Sequence, residues 1–387
     1  MQRHLDEKIK IHFSKYKQIL VLLGSRQVGK TTIVKKIFSQ ANYLLVDNEP
    51  IRKILETYDI ESYKSLISPD AKMLIIDEIH LLSNPGRAAK IIYDQLNDVD
   101  LIITGSSSFH IKNKTSESLA GRKIDYKLHP LTFSEYLVQK DIEKDLNFNI
   151  LENVTLKKEL KDKNYLFDME SILESILIYG QYPQNVNNPN DKKYLLNFVD
   201  SLILKDILEL KLIEDKKLAT DLLKVLASQI GNLINYSELS SRLGADIRTI
   251  RRYIEIFEQS YILFRLYPYS KNKRNEISKS AKIYFYDNGI RNALLENFSN
   301  ISLREDKGAL FENFIISEII KQLSYSDKNY KCYYWRSKQG SEIDLVLDNN
   351  EDLIGVEIKY KKRFLNQAFK NRYKQASVKM MTVNNFY

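Results

Sequence analysis

The segment from Ile19 to Phe38 constrains the fold more tightly than any other. Ile19-Leu-Val-Leu-Leu23 is a short apolar run of strand type, followed by Gly24, Ser25, Arg26, Gln27, Val28, Gly29, Lys30, Thr31 and Thr32. A helical apolar period then runs through Ile33, Val34, Ile37 and Phe38. Strand, glycine-bounded loop and helix is the context that G-x-x-x-x-G-K-[ST] needs to cradle phosphates. The glycines let backbone N–H groups turn inward, and the helix adds the positive end of its dipole. Lys30 is expected at the β- and γ-phosphates and the Thr31 hydroxyl on Mg²⁺.

A second apolar strand, Met73-Leu-Ile-Ile76, ends in Asp77-Glu78. At the carboxyl end of a buried parallel strand, Asp77 would hold the Mg²⁺ shell and Glu78 would orient or deprotonate the attacking water. The pair favours hydrolysis over binding alone. A third strand, Asp100-Leu-Ile-Ile-Thr104, leads into Gly105-Ser-Ser-Ser108. Thr104 or Ser106 is placed to sense the γ-phosphate, or equally to cap a strand end. Leu119-Ala-Gly-Arg122 sets an arginine after a glycine. Arg122 reads either as a surface residue or as a finger that stabilises transition-state charge on a neighbouring subunit.

These residues, with Ile-Ile-Asp-Glu-Ile-His at 75–80, Thr-Gly-Ser-Ser at 104–107 and Pro130-Leu-Thr-Phe-Ser-Glu-Tyr136, resemble a large group of prokaryotic AAA+ ATPases. Members pair an N-terminal P-loop domain with a C-terminal region of unassigned function. Ile178-Tyr-Gly-Gln-Tyr-Pro183, Lys205-Asp-Ile207 and Tyr284-Phe-Tyr-Asp-Asn-Gly289 fit the same pattern. The resemblance implies ATP rather than GTP, makes Arg122 the preferred finger acting in trans in a homo-oligomer, and leaves a second sensor arginine unassigned.

Composition narrows the setting. The 387 residues are 43% hydrophobic and 28% charged, with 12 Gly and 7 Pro, the make-up of a folded, helix-rich protein of two or three domains. One cysteine, Cys332, excludes an intramolecular disulfide and a cysteine-rich zinc site. No apolar run approaches membrane length, and the N-terminus alternates charges, so a cytoplasmic protein with no membrane partner is expected. The net charge of +9 is concentrated: eight Lys or Arg and no Asp or Glu follow Glu357. A basic surface of this kind suits nucleic acid, although a solvated tail would have the same composition.

Residues 136–210 are Lys- and Glu-rich with helical period, as expected of a lid or connector. From 211 to 298 the order of elements predicts a winged helix-turn-helix. Tyr236-Ser-Glu-Leu-Ser-Ser-Arg-Leu-Gly244 is a short helix closed by glycine, and Asp246 caps the next. That helix sets Ile250, Tyr253, Ile254 and Phe257 on one face and Arg248, Arg251 and Arg252 elsewhere. Two strands follow, with Lys271, Lys273 and Arg274 in the basic loop between them. These six cations are the candidate DNA contacts, and subunit packing is the competing use of such a module.

In 299–387, Glu342-Ile-Asp-Leu-Val-Leu347 and Leu353-Ile-Gly-Val-Glu-Ile-Lys-Tyr360 predict a hairpin with Asp344, Glu357 and Lys359 on one side. This resembles the D-x(n)-E-x-K core of restriction-endonuclease-like folds, without the preceding proline. The resemblance implies two metal-binding carboxylates, with Lys359 alongside and Glu312 as a further ligand from a helix. Charged residues on a strand face also simply solvate an edge. The expectation is therefore an α/β protein: a three-layer AAA+ P-loop domain at 1–135, then a helical lid, a winged helix and a restriction-endonuclease-like domain. ATP and Mg²⁺ are the expected cofactors and DNA the expected partner, with an ATP-gated nuclease and a nucleotide-dependent protein switch as alternatives.

Overall fold

The computed structural model describes residues 2–105, 119–156, 158–201, 213–270, 280–361 and 364–387. Ser106, Lys271, Lys273 and Arg274, as well as the Lys205–Ile207 motif, lie outside them.

Five strands form the first sheet: β1 Ile19–Leu23, β2 Asn42–Leu45, β3 Met73–Asp77, β4 Asp100–Gly105 and β5 Lys123–Lys127. All pairs are parallel and the order is β2-β3-β4-β1-β5. A parallel sheet buried on both faces needs continuous apolar strands, and every residue of β1 is buried. Period two divides the strands between two cores. Leu20, Leu22, Ile75 and Ile102 enter one; Ile19, Val21, Leu23, Leu74, Ile76 and Ile103 enter the other. Because β4 lies between β1 and β3, the end of β4 falls between the loop after β1 and the acid that ends β3.

The middle of the chain is helical, with helices Phe133–Gln139, Asn149–Thr155, Met169–Tyr179, Pro183–Asn187 and Lys192–Ser201. Thr132 opens the first with a capping box: its side chain accepts from the Glu135 N–H while the Glu135 carboxylate accepts from the Thr132 N–H. Three further helices, Lys216–Ser228, Tyr236–Leu243 and Ile247–Gln259, precede an antiparallel pair, β6 Leu263–Leu266 and β7 Lys282–Phe285. Gly244 ends the second at φ 63° and the Asp246 side chain caps the third, as the sequence suggested.

After the 19-residue helix Lys307–Tyr325 comes a four-stranded mixed sheet, in the order β11-β10-β9-β8. Its strands are β8 Lys331–Arg336, β9 Glu342–Asp348, β10 Leu353–Ile358 and β11 Ser377–Met381. Here the simple alternation expected of the hairpin fails. Helix Ala368–Arg372 lays Phe369 over one face while the main core covers the other, so Ile343 through Leu347 are all buried. The main core is continuous from Leu20 in the first sheet to Val356 in the last, so the chain's units share one apolar interior.

Candidate nucleotide-binding site

The loop after β1 is shaped by close approaches. A Cβ on Gly24 would sit 2.2 Å from the Leu128 carbonyl oxygen, and Gly29 has φ 99° at the cap of helix Lys30–Ile37. Both positions require glycine, one for space and the other for its dihedral. Gln27 also has positive φ, 59°, a strained conformation held by the surrounding loop. The loop is gripped by aromatic hydroxyls from the helical region: Tyr182 shares a 2.7 Å hydrogen bond with Ser25, and Tyr194 donates to Gln27 Oε1 at 2.7 Å.

Lys30 is buried, and its ammonium donates to the Gly24 and Ser25 carbonyls at 2.9 Å each. At the end of β3, Asp77 is the point of convergence. Thr31 Oγ1 donates to Asp77 Oδ2 at 2.7 Å, Tyr43 OH to the same oxygen at 2.5 Å, and Thr104 Oγ1 to Asp77 Oδ1. Thr104 also accepts the Glu78 N–H at 3.2 Å, linking the two acids. Glu78 has φ 59°, a left-handed backbone that breaks the extended run of β3 and leads into the helical turn Ile79–Leu81. Burial raises the Glu78 pKa, opposed by the charge of Lys30 and reinforced by Asp77. Its carboxylate lies 3.3 Å from His80 Nδ1.

A cavity of about 670 Å³ opens between the loop and the helical region, walled by Lys30, Thr31 and Glu78 on one side and by Gln139, Pro183 and Asn187 on the other. A hydroxyl and a carboxylate brought within 2.7 Å, beside a buried ammonium, make up the donor set that fits a Mg-nucleotide. Thr104 is the candidate polar sensor the structure places at this cluster.

Arg122 lies elsewhere. Its carbonyl accepts from Ile19 N–H at 2.8 Å, at the amino end of the strands, whereas Lys30 follows their carboxyl end. The two are separated by at least the length of β1, ~13 Å at ~3.3 Å per residue. Arg122 is partly exposed and pairs with Asp94 through Nε at 2.9 Å. It does not join the site of its own chain.

The C-terminal acids are each engaged. Asp344 Oδ2 accepts from Lys359 Nζ at 2.8 Å and from Ile358 N–H at 2.7 Å. Glu357 accepts Asn366 N–H at 3.0 Å, and Glu312 accepts Tyr284 OH at 2.7 Å with Lys282 nearby at 3.8 Å. Burial, then the Asp344 charge, pushes Glu312 up to about 7. Burial also raises Glu357; for Lys359 burial is the largest influence and lowers its pKa, but the Asp344 charge and hydrogen bond together with the Glu312 and Glu357 charges leave it raised. Among the described residues no group of three or more His, Cys, Asp or Glu side chains is arranged to hold a metal ion. These positions thus form a charge cluster rather than a ready-made metal centre.

Arg248, Arg251 and Arg252 are exposed on helix Ile247–Gln259. Arg251 stacks over the Tyr236 ring at 3.9 Å, and Arg252 pairs with Glu214 at 3.2 Å. The basic tail is less uniformly superficial than its composition suggests: Lys379 is buried and donates to the Asn153 and Leu156 carbonyls at the end of helix Asn149–Thr155.

Sequence reasoning missed Tyr43, which adds a third hydroxyl on Asp77, and Tyr182 and Tyr194, which hold the loop. The only sequence signal for Tyr182 was its place in the Tyr-Gly-Gln-Tyr-Pro motif.

Residues 16–137 match the AAA domain family, and this match falls on the five-stranded sheet and the site just described. The N-terminal unit is an AAA-class P-loop ATPase domain. Residues 170–301 and 307–384 match two domains of unknown function, DUF8612 and DUF4143. An uncharacterized protein of Methanocaldococcus jannaschii is 26% identical over 95% of this chain and 81% of its own length. An uncharacterized protein of Haemophilus influenzae is 24% identical over 90% of this chain and 84% of its own length. Among solved structures, the Walker-type ATPase PABY2304 of Pyrococcus abyssi superposes with a TM-score of 0.48 at 15% identity, covering 75% of this chain and 94% of that one. Among the described residues no helix is long and apolar enough to cross a membrane.

Proposed function

We propose that this protein hydrolyses ATP in an oligomer and uses the cycle to bind and remodel DNA. The observation that carries the ATPase reading is the convergence of the Thr31 and Thr104 hydroxyls on Asp77, beside Lys30 and the half-buried Glu78. Mg²⁺ held by Thr31 and Asp77 would offset phosphate charge. Lys30, already at the mouth of the loop, binds the phosphate oxygens, and the loop N–H groups with the start of helix Lys30–Ile37 orient them. Glu78 carries a carboxylate whose pKa is raised by burial, suited to accepting a proton from water at the cavity wall. Arg122, at the opposite end of the sheet, serves a neighbouring subunit's site.

The DNA part rests on the exposed Arg248, Arg251 and Arg252, which lie on the third of three helices preceding an antiparallel strand pair, and on the net charge of +9. ATP turnover is expected to rise when duplex, single-stranded or branched DNA is added, with an affinity that falls as salt is raised. Turnover and mobility unchanged across that panel would remove DNA as partner and leave a nucleotide-dependent protein switch. The second reading, an ATP-gated nuclease, is favoured by one observation, the placing of Lys359 on Asp344 with Glu312 electrostatically linked to both. It predicts Mg²⁺-dependent nicking that Asp344→Ala abolishes while ATP turnover persists.

A further inference from the structure

The arginine third from the N-terminus is buried, 4% exposed, and reaches three separate elements. Arg3 Nη1 donates to the Val28 carbonyl at 2.8 Å, inside the phosphate-binding loop and two residues before Lys30. Its Nη2 donates to the His129 carbonyl at 2.6 Å, just beyond β5, and its Nε lies 3.0 Å from Glu135 Oε1. Glu135 is itself fixed by the His4 and Thr132 N–H groups at 2.8 and 2.9 Å. Burial is the largest influence and opposes both charges, but their mutual attraction, with Tyr325 adding at Arg3 and His4 and the His4 and Thr132 N–H groups adding at Glu135, holds Arg3 above and Glu135 below their usual ranges.

The same cluster touches the C-terminal unit. His129 N–H donates to the hydroxyl of Tyr325 at 2.8 Å, and Tyr325 is the last residue of helix Lys307–Tyr325, buried to 1%. His129 is thus bridged on its carbonyl side to Arg3 and on its amide side to Tyr325. Arg3 is the cation that links this junction to the loop, and the Val28 carbonyl it holds shares its peptide with the Gly29 N–H of the proposed phosphate cradle.

We propose that Arg3 is a positioning residue for the phosphate-binding loop and couples the loop's conformation to helix Lys307–Tyr325 of the C-terminal unit through the His129–Tyr325 contact. The coupling rests on the nucleotide-binding reading above. It is reciprocal: whatever fixes the helix tightens the loop, and a nucleotide that fixes the loop protects the helix. A purely structural arginine would stabilise the chain without making the helix respond to nucleotide.

The test is amide hydrogen exchange on the full chain with and without saturating MgATP, with ATP affinity and kcat measured on the same samples. In the wild-type chain, ATP should slow exchange both in residues 24–32 and in 307–325. In Arg3→Gln, the ATP dissociation constant should rise roughly tenfold, the loss expected for one charge-assisted hydrogen bond holding a binding loop. The loop should still respond at saturation while 307–325 no longer does. Arg3→Lys keeps the charge opposite Glu135, so it serves if Arg3→Gln fails to fold; its point-like ammonium does not reproduce the planar fork that reaches Val28, His129 and Glu135 from three separate nitrogens, and the helix response should again be lost. Tyr325→Phe should also silence the helix while the loop responds. A helix that ignores ATP in the wild-type chain, or one that still responds in the Arg3 and Tyr325 variants, overturns the proposal. No ATP response at residues 24–32 in the wild-type chain overturns the nucleotide reading itself, which the first measurement therefore reports separately.

Discussion

Replacing Lys321 with Met should cost more stability than any surface substitution, and a matched second substitution should recover much of it. Lys321 and Glu318 are fully buried, with 0% side-chain exposure each, and their charged atoms are 2.6 Å apart. The ammonium also donates to the Leu131 carbonyl at 2.9 Å and to Gln181 Oε1 at 3.1 Å, so all three of its N–H groups are used. Glu318 accepts from Phe133 N–H at 2.9 Å and Gln181 Nε2 at 3.0 Å. Removing the cation strands a carboxylate with no water to replace it, a loss of ~3–5 kcal/mol. The orphaned Leu131 and Gln181 oxygens add about 1–3 kcal/mol each if nothing moves to meet them. Against a total of ~5–15 kcal/mol for a typical domain, this is a large fraction. Urea unfolding followed by the fluorescence of Trp335, the single tryptophan, reports it directly. The double variant Lys321→Met with Glu318→Gln should be more stable than the two single losses summed, with a coupling of at least about 2 kcal/mol. A single-variant cost under about 1 kcal/mol, or additive losses, would refute the assignment of this pair as a strongly coupled link between the P-loop domain and the C-terminal helix.

Gly24→Ala places a methyl 2.2 Å from the Leu128 carbonyl oxygen, which Leu23 pairing with Leu128 N–H at 2.7 Å holds in place; equilibrium binding should show nucleotide affinity lost together with a lower unfolding midpoint. Because burial raises the Glu78 pKa, turnover should be complete well above that pKa and fall as pH drops through it, at a higher pH than an ordinary carboxylate would give; a kcat–pH profile flat down to the usual carboxylate range would remove Glu78 as the proton acceptor. Arg122→Ala should lower kcat by ~10³-fold with ATP affinity preserved, and mixing it with Lys30→Ala subunits should restore part of the activity, because an intact Lys30 site then meets an intact Arg122. No recovery on mixing, in an oligomer shown to exchange subunits, counts against action in trans.

The parts of this site legible in the sequence were those encoded locally. A glycine-bounded loop between an apolar strand and a helix, and an acid pair ending a strand, each need only a handful of consecutive residues, and the fold brings Thr31 within hydrogen-bond distance of Asp77. What stayed hidden depends on long-range packing. Arg3 reaches Val28 and His129 across 25 and 126 positions, and no period or spacing marks such a contact. Helix Lys307–Tyr325 is the sharper example. Asn313, Ser317, Glu318, Lys321 and Gln322 recur at helical spacing and would be assigned to solvent by pattern alone, yet all five are buried: Glu318 and Lys321 meet Phe133, Leu131 and Gln181, Asn313 meets Phe285 and Asn288, and Gln322 accepts from Leu151 N–H. The charge count misled in the opposite sense at Lys379, whose burial at a helix end removes it from the surface the tail composition implied.

The central claim is that this chain hydrolyses ATP at the loop after β1, and phosphate release by the purified full chain tests it most directly. Mg²⁺-dependent release is predicted for the wild-type chain and its loss in both Lys30→Ala and Glu78→Gln, with Glu78→Gln still binding ATP. Absence of nucleotide binding by the wild-type chain, or release that continues unchanged in both variants, would contradict the account.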